Sequence, residues 1–141
     1  MTRFLRDRGA ATAVEFALVV VPLLTMIFGV VEFSRLLWTR NALEEGAIAG
    51  ARCMGIGQLA CSTSGGADAA KTAAFVKLTV SQLSIGTAVN VSVGTTTTCA
   101  GAPGFVSVTV ASNFTTVVPL IRQFIGANVP LSATSCFPTQ S

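Results

Sequence analysis

The chain has no histidine and no tyrosine, and charged side chains make up only 11% of its 141 residues, against an ordinary share of about 25%. The missing histidine removes the commonest general base, the commonest metal ligand and every His-based catalytic triad. Carboxylates are scarce too. Beyond Arg52 only Asp68 remains, so no carboxylate pair for hydrolysis exists there. No serine sits in a G-x-S-x-G elbow or an S-x-x-K pair, and no P-loop lysine follows the glycines of "GIGQLACSTSGG". The chain is expected not to be an enzyme and to need neither cofactor nor metal. A net charge of +3, with basic residues scattered rather than clustered, also argues against nucleic-acid binding.

What is abundant is apolar surface, at 51% of residues, and its placement divides the chain. Residues 1–9, "MTRFLRDRG", hold Arg3, Arg6 and Arg8 against Asp7. Phe16 to Val31 then runs for sixteen residues without a charge, and counted from Ala10 the run is twenty-two residues with Glu15 as its one charge. At roughly 1.5 Å per residue, a helix of that length spans a hydrocarbon core of about 30 Å. Basic residues ahead of the run place the N-terminus in the cytoplasm and the remainder outside the membrane. A cleaved secretory signal would have an apolar region of about 7–15 residues and a small-residue stop. Here the run continues into "EFSRLLWTRNALEEGAIAGAR", where Phe33, Leu36, Leu37, Leu43 and Ala47 recur near helical spacing. One helix is expected over residues 10–53, membrane-spanning over about 10–31, with a kink or loosened turn at Pro22.

Glu15 is the anomaly in that helix. A carboxylate in lipid is costly and usually faces a protein partner. The alternative is that it stays wet at the cytoplasmic interface, since it lies near one end of the run.

Residues 54–141 should form a small extracytoplasmic domain. "CMGIGQLACSTSGG" has the composition of a loop. "ADAAKTAAFVKLTVSQL" places Ala69, Ala73, Val76, Val80 and Leu83 on one helical stripe, with Asp68 suited to the helix start. "AVNVSVG" and "FVSVTVA" alternate valine with polar residues, as half-buried strands do. A long, mobile connection, "TTTTCAGAPG", is expected between them. A short helix is bounded by Pro119 and Gly126, and "VPLSATSCF" supplies a third strand with Val129, Leu131 and Ala133 inward. The fold class is therefore α+β: a long N-terminal helix packed on a small antiparallel three-stranded sheet with one or two short helices.

Four cysteines, Cys53, Cys61, Cys99 and Cys136, show neither zinc-knuckle nor CxxC spacing. An even number outside the cytoplasm points to disulfides, with buried free thiols as the alternative. Of the three connectivities, geometry favours Cys53 with Cys61 and Cys99 with Cys136, because an antiparallel third strand would end beside the start of the second.

The short basic leader, Gly9, the small residues and "VEFAL" resemble type IV prepilins, and "RGAATAVEFALVVVPLL" more closely resembles the TadE-like family of minor pilins and pseudopilins of the tight-adherence (Tad) pilus system. That resemblance implies a prepilin peptidase cutting on the cytoplasmic side at Gly9, Ala10 and Ala11. It implies that Glu15, with its aromatic neighbour Phe16, pairs with the N-terminal amine of a neighbouring subunit. Cutting after Gly9 makes Glu15 the sixth mature residue; cutting after Ala10 makes it the fifth, the family position, with alanine where glycine is usual. The implied partners are the peptidase, other minor pilins, the major pilin and the inner-membrane assembly platform. The implied location is the bacterial inner membrane, or a pilus used for surface adhesion. The competing expectation is an uncleaved single-pass anchor presenting a small binding domain.

Overall fold

Helix α1 runs unbroken from Arg8 to Gly55 and passes through Pro22 without ending. The structure, a computed structural model, describes residues 8–64, 66–83 and 88–140. Apart from Arg8 and Glu15 the first half of α1 is uncharged and dominated by Leu, Val, Phe, Met and Ala, and it contains little to break a helix except Pro22. Its end is set by glycine. Gly57 adopts φ +68°, Gln58 N–H donates to Cys53 C=O and Gly57 N–H to Met54 C=O, which is a Schellman closure.

A two-residue hairpin follows, β1 (Ser62–Thr63) against β2 (Gly66–Ala67). Helix α2 (Ala69–Leu83) starts where the Asp68 carboxylate accepts the Lys71 backbone N–H at 3.0 Å, an N-cap bond. Strands β3 (Val89–Cys99), β4 (Ala102–Thr115) and β5 (Asn128–Pro138) form an antiparallel sheet in that order. Helix α3 (Pro119–Ile125) bridges β4 to β5, with Pro119 in its first turn and Gly126 at its end.

Alternation sets the register. Val106, Val108 and Val110 of β4 point inward and are fully buried, and Val91 and Val93 of β3 pair with Val110 and Val108. Val129, Leu131 and Ala133 of β5 share that inner face. The C-terminal half of α1 lies across β4 and β5, and α2 packs on α1 and β3. A core of Leu43, Ala47, Ala51, Cys53, Met54, Val76 and Val80 closes against the β4 valines. The back half of α1 is thus a layer of the domain rather than a stalk below it.

Three local expectations differ from the structure. The inward stripe of α1 is Ala42, Leu43, Gly46, Ala47, Gly50 and Ala51, whereas Phe33 and Leu37 are exposed. Small residues win that face because the sheet and α2 come close. A Cβ on Gly46 would strike Val80, and one on Gly50 would strike Val76 and approach Val108. On α2 the buried residues are Thr72, Val76 and Val80, while Ala69 and Leu83 are exposed. Thr72 goes inside because its hydroxyl bonds the Asp68 and Cys61 carbonyls. The connection after β3 is also not a long loop. Cys99 pairs with Ala102, leaving a two-residue turn in which Ala100 (φ 52°) and Gly101 (φ 83°) both take the left-handed conformation favoured by tight hairpins.

Candidate functional site

From Ala11 to Val19 every side chain of α1 is exposed, and the large apolar residues, apart from half-buried Val20, stay exposed as far as Val31. The helix contains an 18-residue window of mean hydropathy 2.5, none of it buried against the rest of the chain. A bare apolar helix of this length is compatible with a single-pass membrane anchor. Glu15 and Phe16 are both exposed on it, Phe16 at 70%. Among the described residues Glu15 has no hydrogen-bond or ion-pair partner. The backbone of Arg8, Gly9, Ala10 and Ala11 is already helical, while Arg3 and Arg6 lie outside the described residues. At Pro22 the missing N–H costs α1 one ladder bond, to Leu18 C=O. One turn later the Thr25 hydroxyl bonds Val21 C=O at 2.6 Å and lies 3.1 Å from Pro22 C=O.

Where the apolar run stops, the domain is fastened to the helix. Glu32 directly follows Val31 and is only 4% exposed. Its Oε1 accepts the Val117 backbone N–H at 2.9 Å, and its Oε2 accepts Arg35 Nη1, also at 2.9 Å. The Arg35 guanidinium lies 5.5 Å from the centre of the Phe114 ring. Six residues on from Glu32, Trp38 donates its indole N–H to Leu83 C=O at 2.8 Å. These bonds tie both near ends of the domain, the β4–α3 connection and the end of α2, to α1 within two turns of each other. An open groove of about 410 Å³ lies beside them, lined by Val31, Arg35, Trp38 and Phe114 among others. Sequence reasoning passed over Glu32, which looked like the first polar residue after an apolar run. Its partner is a backbone amide 85 positions away, which leaves no mark in residue types.

The far end is closed by covalent bonds. Cys53 is bonded to Cys61 with Cα atoms 5.8 Å apart, and Cys99 to Cys136 at 6.5 Å. Register shifts after Gly94 and Thr97 bend the tip of β3, and Cys136 pairs with Ser107 near the start of β4. Both bridges restrict the unfolded chain, each by about 2–4 kcal/mol. With all four sulfurs bonded to one another, no thiolate is left to ligate a metal.

Residues 10–52 match the family model described as TadE-like protein, the family that the N-terminal motif resembles. That family is associated with the Tad pilus, and the matched segment is α1 almost from end to end. No curated protein and no solved structure matches the chain.

Proposed function

We propose that this protein is a minor pilin or pseudopilin of a Tad-type pilus, processed by a prepilin peptidase and acting through helix packing rather than catalysis. One observation carries the reading: Glu15 stands exposed and unpartnered, among the described residues, on an apolar helix long enough to cross a bilayer. Placing such a carboxylate in lipid costs about 3 kcal/mol or more, and a cation from outside the chain offsets this. The amine freed by cleavage near Gly9, Ala10 and Ala11 of a neighbouring subunit is a cation at the right depth. The ion pair would then set one helix in register against the next.

In this account the leader arginines hold the N-terminus in the cytoplasm and the disulfide-tied domain faces outward. The partners are the prepilin peptidase, further minor pilins, the major pilin and the inner-membrane assembly platform. Adhesion to surfaces is the process served, and no enzymatic step is assigned to this chain. Glu15→Gln is the direct test. It should leave expression and membrane insertion unchanged while abolishing co-assembly with pilins and surface attachment. Normal assembly by that variant would favour an uncleaved anchor carrying a binding domain.

A further inference from the structure

We propose that the near end of the domain, the segment from Val117 through α3 to Ile125, is a second membrane contact that rests on the outer surface of the bilayer. The Glu32–Val117 bond sets its level. It holds Val117 beside the residue at which the apolar run of α1 ends, so a bilayer filled by residues 10–31 has its outer hydrocarbon edge at Val117. The segment reads "VVPLIRQFI": six apolar residues and a proline, one cation and no acid. Val117 is 65% exposed, and Arg122 is exposed as well. An exposed Val117 at this depth, followed in α3 by the exposed cation Arg122, suits the boundary between acyl chains and anionic headgroups.

One neighbour shares the level and the chemistry. Arg35 is half-exposed, and its one acidic partner among the described residues, Glu32, is buried beneath it. Trp38, 64% exposed, lies about 10 Å along the axis from Val31, beyond a headgroup zone of about 5–7 Å, so the level is carried by Val117 and Arg35. The groove between Arg35 and Phe114 opens on the same level. The occupant is therefore a lipid surface carrying negative headgroups. Contact at two places would fix the tilt of the domain over the membrane, which a single helix does not.

The proposal rests on the membrane-anchor reading of α1, and the test separates the two. Single cysteines, Val117→Cys and Thr96→Cys, are labelled with an environment-sensitive fluorophore in the full-length protein; the native cysteines are all bonded. Both positions are exposed, and Thr96 lies on β3 at the far end of the sheet. The proteins are placed in vesicles of phosphatidylethanolamine and phosphatidylglycerol with and without brominated acyl chains, and integration is checked by resistance to alkaline washing. The expected result is quenching of about twofold at position 117 and little at 96. Equal, weak quenching at both positions in a chain that resists washing would overturn the contact while keeping the anchor, and would assign the surface to a protein partner. A chain that washes off would overturn both.

Discussion

Replacing Glu32 should loosen the domain from its helix in a graded way that the geometry allows to be estimated. The carboxylate makes two bonds of 2.9 Å, one to a backbone amide and one to a half-exposed guanidinium. Glu32→Gln keeps the shape and an oxygen able to accept from Val117 N–H. What it loses is the charge assistance, about 1 kcal/mol, and a partly screened ion pair of up to about 1 kcal/mol. Glu32→Ala loses both bonds and leaves the Val117 N–H without its acceptor in a tight junction, for a total of about 3 kcal/mol. At roughly 4 °C per kcal/mol for a chain of this size, the melting point should fall by about 6 °C for Gln and about 12 °C for Ala. The assay is thermal unfolding in detergent micelles followed by circular dichroism, with Arg35→Ala as a companion. Arg35→Ala should cost more than Glu32→Gln, since it removes the ion pair and the contact with the Phe114 ring and leaves the buried Glu32 carboxylate without its counter-charge. An Ala variant within about 0.5 kcal/mol of the native protein would refute the reasoning. So would a Gln variant as unstable as Ala, because the ion pair rather than the backbone clasp would then hold the junction.

Two further substitutions probe the close packing and the hairpin. Gly50→Ala gains about 1 kcal/mol of helix propensity but drives a Cβ into Val76, so chemical denaturation should show a net loss of about 1–2 kcal/mol. Gly29, where an added Cβ meets nothing within 4 Å, is the matched control, and Gly29→Ala should not destabilise. Ala100→Gly, at the left-handed first residue of the β3–β4 turn, should stabilise by about 0.5–1 kcal/mol, visible as a higher denaturation midpoint.

The parts of the fold legible in the sequence were those written as a period or a length. The charge-free run of α1 marked a helix of membrane-crossing length, and the alternating valines marked β3 and β4. Proline and glycine bracketed α3 because each acts locally on the backbone. Less legible was which face of α1 the domain would cover. Hydrophobicity favoured Phe33 and Leu37, yet close approach selected Gly46 and Gly50, and the four-residue spacing of small residues was the signal for it. Thr72 was hidden by its hydroxyl, which local carbonyls satisfy. The β3–β4 turn was masked by the threonine run around it, since four β-branched residues in a row can extend a strand as easily as they compose a loop. Glu15 stood out because its surroundings are uniformly apolar. Glu32, bonded to an amide from a distant strand end, gave no comparable sign.

The central claim is that cleavage beside Gly9 creates the amine that Glu15 engages, and the N-terminus of the membrane-extracted protein tests it most directly. Intact mass and N-terminal sequencing would be compared with and without a co-expressed prepilin peptidase. The account predicts a peptidase-dependent terminus at Ala10 or Ala11, which would also fix whether Glu15 is the sixth or the fifth mature residue. A chain that keeps Met1 in both preparations would contradict it and leave α1 as a plain membrane anchor.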